Sequence, residues 1–203
     1  MDGIKWLFFD VGSTLVDESL AYEQRFRDIA RLANVPFEQV WHDAMCFYRQ
    51  NRKGDLEVAR SLGVKVPSWH SECERPYPDA AECLAALHAK YRIGIIANQP
   101  VGTECRLARY GLLPYVDLVI ASAEEGVSKP DPAIFELALQ KSGCSPGQSM
   151  MIGDRIDNDI IPAKRLGMHT IWIRQGFGSY WNITDETENP DQTVSSLTGL
   201  LIL

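Results

Sequence analysis

Short apolar runs alternate with amphipathic helical patterns over most of the chain, and this alternation limits the folds that the chain can adopt. The apolar runs are 5–9, 93–97, 116–121, 150–152 and 170–173. The helical patterns between and after the later runs are 79–90, 103–110, 132–142 and 158–166, and the tail at 191–203 is a candidate for a last short helix. Continuously apolar runs suit strands that are buried on both faces, as in parallel sheets, whose helical crossovers cover both sides. The pattern therefore predicts an α/β fold with a doubly wound parallel sheet.

One stretch, residues 17–75, departs from this alternation and carries only helical patterns. Its first two helices each have one apolar face, formed by Tyr22, Phe26, Ile29, Ala30 and Ala33 and by Phe37, Val40, Trp41, Ala44, Met45 and Tyr48. A weaker pattern covers 56–62, and a connector with three prolines follows at 67–78. Because the stretch begins directly after the first strand, we expect it to lie over the carboxyl edge of the sheet. We predict an α/β core at 1–16 and 76–203, with a small all-helical cap at 17–75, called the helical segment below.

The composition excludes several classes of partner. The chain has 27 Asp and Glu against 20 Lys and Arg, with a formal net charge of −7. Such acidity argues against general binding to nucleic acids or to anionic membranes. The first apolar run stops at Asp10 and is too short for a signal peptide or a membrane span. The five cysteines form no CxxC pair, so we expect no zinc site and no disulfide framework, and a reduced, cytoplasmic protein.

Polar side chains gather at the ends of the predicted strands. Asp10 ends the first strand, Asn98 follows the second, Lys129 follows the third, and Asp154 ends the fourth with Asp159 just beyond. In parallel sheets of this kind, ligands bind outside the carboxyl ends of the strands. The sequence therefore predicts one site at this edge, built from carboxylates, an amide and a lysine.

These residues resemble, in order, the four motifs of the haloacid dehalogenase superfamily. The motifs lie at 8–15 (FFDVGSTL), 95–98 (IIAN), 129–132 (KPDP) and 153–159 (GDRIDND). The ordered set carries the resemblance, because any one motif alone is weak. The resemblance implies a hydrolase, since most members are magnesium-dependent phosphatases, and it implies that the helical segment is the family's C1-type cap.

The resemblance also implies a role for each polar residue. Asp10 is the expected nucleophile, since a carboxylate that attacks phosphorus forms an acyl phosphate that water can cleave. The expected ligands of Mg²⁺, which prefers oxygen, are the Asp10 and Asp154 carboxylates and the Gly12 carbonyl. Lys129 is expected to neutralise the nucleophile and the transferred phosphoryl group. Asp159 is expected to support the site, for instance by orienting Lys129.

Two positions depart from the family pattern. Members carry a second aspartate, two residues after the nucleophile, which protonates the leaving oxygen and then activates water; here this position is Gly12. General acid–base catalysis contributes about 10²–10⁴ in rate. The hydroxyl of the second motif is also missing, at Ala97, so phosphate binding falls to Asn98, Lys129 and the backbone at Ala97. We expect weak turnover of alkyl phosphates, unless another part of the chain, such as the cap, supplies the missing group.

These departures leave an alternative open, which is a degenerate member that binds Mg²⁺ and a phosphorylated ligand or a partner protein without turnover. A dehalogenase is disfavoured, because Gly12 is not the large aromatic residue of that subfamily and the fourth motif is acidic. A Schiff-base role for Lys53 is disfavoured, because its neighbours form a polar, exposed turn. The sequence favours a Mg²⁺-dependent phosphatase that acts on a small phosphorylated metabolite through an aspartyl phosphate on Asp10.

Overall fold

A six-stranded parallel sheet is the frame of the computed structural model, which describes residues 3–203. The strands are β1 (Trp6–Phe9), β2 (Val16–Asp17), β3 (Arg75–Pro76), β4 (Arg92–Ala97), β5 (Leu118–Ala121), β6 (Ser149–Gly153), β7 (His169–Ile173) and β8 (Gln192–Val194). The sheet has the order β5-β4-β1-β6-β7-β8, and each neighbouring pair is parallel. β2 and β3 form a separate antiparallel ribbon. The predicted α/β fold with a parallel sheet is confirmed.

Helices lie on both faces of the sheet, and three further helices, α1 to α3, form the helical segment. The helices are α1 (Ser19–Ala33), α2 (Phe37–Tyr48), α3 (Gly54–Ser61), α4 (Ala80–His88), α5 (Thr103–Arg109), α6 (Ser122–Glu125), α7 (Pro132–Ser142) and α8 (Ile161–Arg165). Successive side chains of a strand point to opposite faces, so Leu7 and Phe9 share an apolar cluster with α4 and α5, whereas Phe8 packs with α7 and α8. None of the described helices has the length and apolar character that a membrane span requires.

The helical segment has an apolar cluster of its own, formed by α1, α2 and α3. Its buried members include Phe26, Ile29 and Val40. Phe177, which follows β7 in the core, packs into the same cluster and stacks on Tyr48 with ring centroids 4.5 Å apart. Phe177 therefore ties the helical segment to the core. The chain enters the segment through β2 and returns through β3.

The structure differs from the sequence-based predictions at three places. In the tail, the candidate short helix is a 3₁₀ helix at Leu197–Ile202, and the short strand β8, which was not predicted, precedes it. The helix predicted at 158–166 is divided into a π-helical turn at Ile156–Ile160 and the short α8, whose first turn contains Pro162. Proline suits a helix start because its missing N–H would have no partner there. The β2–β3 ribbon was not predicted, since strands of two residues show no alternation.

Candidate active site

The ends of three strands meet at the centre of the site. Asp10 follows β1, Asn98 follows β4 and Asp154 follows β6. Lys129, from the loop before α7, donates from Nζ to Asp10 Oδ1 at 2.7 Å and to Asp159 Oδ1 at 2.6 Å. The structure thus brings together the five polar side chains that the sequence places at this edge of the sheet.

Lys129 is the cation of the cluster, and its side chain is buried between the two carboxylates that it contacts. Burial by itself lowers the pKa of this ammonium group, but the charges of Asp10 and Asp159 outweigh burial and raise the pKa above its ordinary value. Lys129 therefore keeps its charge at neutral pH and stands beside the expected nucleophile.

Three carboxylates crowd around one point. Asp10, Asp154 and Asp159 each offer an oxygen, and these oxygens lie within 4.8 Å of one another. Burial, followed by the negative charges of Asp10 and Asp159, raises the pKa of Asp154 well above its usual range. The positive charge of Arg155 lowers the pKa of Asp154, but burial and the two carboxylates outweigh it. A buried group of oxygen ligands with excess negative charge fits a hard divalent cation such as Mg²⁺.

Asp159 approaches the others closely because residue 153 is glycine. A Cβ at Gly153 would lie 2.3 Å from Asp159 Oδ2, which no side chain permits. The backbone N–H of Arg155 donates to the same oxygen at 3.0 Å. Both oxygens of Asp159 are thus engaged, one by Lys129 and one by the backbone. This arrangement suits the supporting role expected for Asp159, since both oxygens are already held.

Asn98 holds the loop that carries Lys129. Its Nδ2 donates to the Lys129 carbonyl at 2.8 Å, and its Oδ1 accepts from the Lys129 N–H at 2.7 Å. The side chain is therefore already engaged in positioning Lys129, although it also lines the cavity. Ala97 is buried in the apolar cluster of the sheet, and among the described residues it is not one of those that line the cavity.

A cavity of about 250 Å³ lies between the core and the helical segment, directly at the carboxylates. The helical segment contributes Glu18, Tyr22, Arg25, Lys53, Asp55 and Leu56 to its wall. Arg25 is paired with Asp55 at 2.7 Å. Lys53 is exposed, as the sequence predicts, yet it also lines the cavity. The part of the wall that the helical segment contributes is therefore mostly polar and carries both signs of charge.

Glu18 is a member of the site that the sequence analysis did not single out. A Cβ built at Gly12 would lie 2.5 Å from Glu18 Oε1 and 2.8 Å from Oε2. Ser13 Oγ donates to Oε2 at 3.1 Å. Burial of the carboxyl group, and next the negative charge of Asp10, raises the pKa of Glu18 to about 8. No motif marks this residue, because the contact depends on how the chain turns between β1 and α1.

A comparison with known families accounts for this arrangement. The family model described as haloacid dehalogenase-like hydrolase matches residues 4–167. The chain belongs to the haloacid dehalogenase-like hydrolases. Glyceraldehyde 3-phosphate phosphatase of Pyrococcus furiosus is 30% identical to this hydrolase over an alignment 225 residues long. The alignment covers 99% of this hydrolase and 93% of the relative. Pyrimidine 5'-nucleotidase of Escherichia coli is also 30% identical, and its alignment covers 95% of this hydrolase and 94% of the nucleotidase.

A solved structure shows the same fold. The HAD phosphatase from Thermococcus onnurineus superimposes on this hydrolase with a TM-score of 0.65 at 24% identity, covering 97% of this chain and 96% of the other. Phosphatases of this family generally use a divalent metal, typically Mg²⁺. The carboxylate cluster of this hydrolase is a site of the kind that such an ion requires.

Proposed function

We propose that this hydrolase is a Mg²⁺-dependent phosphatase of small phosphorylated molecules, acting through an aspartyl phosphate on Asp10. The observation that carries the proposal is the contact of Lys129 with both Asp10 and Asp159, next to Asp154, at the floor of a cavity that the helical segment covers. The two relatives that are named for a sugar-phosphate phosphatase and a nucleotidase support the substrate class.

The protein residues divide the work of phosphoryl transfer. Lys129 holds Oδ1 of Asp10, which leaves Oδ2 for attack on phosphorus. The bond from phosphorus to the ester oxygen then breaks, and water later cleaves the acyl phosphate to release inorganic phosphate. Lys129 also offsets the negative charge of the phosphoryl group near Asp10. Asp10, Asp154 and the Gly12 carbonyl would hold Mg²⁺, which supplies positive charge for the phosphoryl oxygens.

The helical segment is proposed to be the cap, with 1–16 and 76–203 as the core. It contributes six side chains to a cavity of about 250 Å³, which is a volume for a small molecule. Excluding water from such a site strengthens the charge interactions that favour transfer. We therefore assign substrate selection to the helical segment and phosphoryl chemistry to the core.

The direct test is inorganic phosphate release from p-nitrophenyl phosphate and from a panel of small phosphate esters, with Mg²⁺ and with EDTA. We expect release that depends on Mg²⁺ and that Asp10→Asn abolishes. Equal release in EDTA, or an active Asp10→Asn variant, would contradict the proposal.

A second candidate is a binding protein without turnover, and the buried Ala97 in place of a hydroxyl-bearing residue favours it. Mg²⁺ and a phosphorylated ligand would then occupy the cavity without reaction. This function predicts no phosphate release across the panel, together with a higher melting temperature when Mg²⁺ and inorganic phosphate are added together.

A further inference from the structure

Glu18 places a carboxyl group where the family pattern has the side chain of residue 12. We infer that Glu18 is the proton donor and acceptor of this hydrolase, in place of an aspartate at position 12. The inference deepens the proposed function and rests on it.

The first support is the space that the Glu18 carboxyl group occupies. The Cβ that any other residue would have at position 12 lies 2.5 Å from Oε1, 2.8 Å from Cδ and 2.8 Å from Oε2 of Glu18. The whole carboxyl group therefore sits within the volume of a residue-12 side chain. Glycine at position 12 and glutamate at position 18 are two parts of one arrangement, since a larger residue 12 would displace the glutamate.

The second support is that Glu18 faces the site rather than serving the helix that follows it. It is the residue before α1, but its side chain makes no capping hydrogen bond there. Asp17 Oδ1 instead accepts from the Ser19 N–H at 2.9 Å. The Glu18 carboxyl group turns inward, accepts from Ser13 Oγ and lines the cavity with Asp10 and Lys129. Folding of the helix therefore does not explain a carboxyl group at this place.

The proton transfers balance over the two steps. As the Asp10 carboxylate forms its bond to phosphorus, the ester oxygen leaves and takes the proton of the Glu18 carboxyl group. In the second step the Glu18 carboxylate takes one proton from water, whose oxygen bonds to phosphorus while the bond from phosphorus to Asp10 breaks. Inorganic phosphate, the Asp10 carboxylate and the protonated Glu18 are the result. The expected penalty on alkyl phosphates, which follows from Gly12 alone, then disappears.

The test compares four proteins on two substrates: the wild type, Glu18→Gln, Glu18→Ala and the double variant Gly12→Asp with Glu18→Ala. Glycerol 3-phosphate has a poor leaving group that needs a proton, whereas p-nitrophenolate leaves without one. Glu23→Gln is the matched control, since Glu23 lies on the exposed side of α1 and pairs with Arg27. Melting temperature with Mg²⁺ and inorganic phosphate is measured for each protein as a readout independent of turnover.

We expect Glu18→Gln to lose about 10²–10⁴ in kcat on glycerol 3-phosphate. On p-nitrophenyl phosphate the same variant should release a burst near one equivalent of p-nitrophenol and then turn over slowly, because the acyl phosphate waits for an activated water. On glycerol 3-phosphate, the kcat of the double variant should be at least tenfold higher than that of Glu18→Ala. Stabilisation by Mg²⁺ with phosphate should persist in Glu18→Gln.

Three results would overturn the inference. Wild-type rates in Glu18→Gln would show that the carboxyl group transfers no proton. Absence of a p-nitrophenol burst, together with loss of stabilisation by Mg²⁺ and phosphate, would make Glu18 a metal ligand or a structural residue. A wild type inactive on every phosphate ester would remove the proposed function and the inference with it, whereas an active wild type with an unaffected Glu18→Gln removes the role of Glu18 alone.

Discussion

Asp154→Asn tests whether the carboxylate cluster is built to hold a cation. The change removes one negative charge from three carboxylates whose oxygens lie within 4.8 Å of one another, and it keeps the size of the side chain. Lys129 contacts Asp10 and Asp159, so its charge is directed at those two. We expect the variant to be more stable than the wild type in Mg²⁺-free buffer and to gain no stability when Mg²⁺ is added.

The structure sets the size of the effect. Two unit charges 4.8 Å apart repel by roughly 3.5 kcal/mol at an effective dielectric constant of 20. Asp154 has two such neighbours, but Lys129 offsets part of their charge, and protonation of Asp154 limits the cost near neutral pH because its pKa is raised. At pH 8 we expect the free energy of unfolding to rise by about 3 kcal/mol. A domain of this size then melts roughly 6–12 °C higher.

The assay is urea unfolding and thermal melting at pH 8, in EDTA and in excess Mg²⁺. Asp157→Asn is the matched control, since it makes the same change on the same segment but lies outside the carboxylate cluster and weakens only the partly exposed pair with Arg155. Such a pair is worth about 0–1 kcal/mol, and the control should keep the full response to Mg²⁺. The reasoning fails if Asp154→Asn is less stable than the wild type in EDTA, or if Mg²⁺ stabilises it as much as it stabilises the wild type.

Three other perturbations have defined outcomes. Lys129→Met leaves Asp10 and Asp159 buried without their cation, so urea unfolding should show a loss of roughly 3–5 kcal/mol, and phosphate release should vanish; wild-type stability would contradict the burial argument. Because the folded-state pKa of Glu18 is raised from 4.5 to about 8, its contribution to stability is present below pH 4.5 and is lost as the pH rises toward 8. In Mg²⁺-free buffer, the free energy of unfolding of the wild type should therefore fall by roughly 4 kcal/mol more than that of Glu18→Gln between pH 4.5 and 8. Urea titrations that give the same pH dependence for both proteins would count against the buried carboxyl group. Phe177→Ala removes the stack on Tyr48 and the edge contact with Tyr22, so it should cost about 2–4 kcal/mol and expose the helical segment to limited proteolysis; an unchanged digestion pattern would show that Phe177 does not hold the segment.

Much of the fold could be predicted because parallel strands that are buried on both faces appear in the sequence as continuous runs of apolar residues. β4 and β6 are apolar at almost every position, and the helices between strands show their period clearly. β8 escaped prediction because it is a short edge strand in which no residue is fully buried. The π-helical turn at Ile156–Ile160 escaped because a helical period does not reveal one additional residue per turn.

The site was predictable where the chemistry follows from strand ends, and not where it follows from the path of a turn. Asp10, Lys129 and Asp154 each stand next to a strand or in a recognisable motif, and the parallel sheet brings them together. Glu18 meets Gly12 across a turn and the two-residue strand β2, and in that turn Ser13 adopts a left-handed conformation with φ of 54°. No periodicity encodes such a contact. The sequence therefore showed that an aspartate is missing at position 12, but not that the Glu18 carboxyl group occupies its place.

The β2–β3 ribbon joins the helical segment to the core. The chain leaves the core at Val16–Asp17 and returns at Arg75–Pro76, and these two crossings are hydrogen-bonded to each other. If the helical segment rotates about this ribbon, each of its atoms is displaced in proportion to its distance from the ribbon. Glu18 directly follows β2 and would stay beside Asp10, whereas Lys53, which is distant from the ribbon along the chain, would move further. Under the proposed function, the reacting groups would then keep their relative positions, and the part of the wall assigned to substrate selection would move.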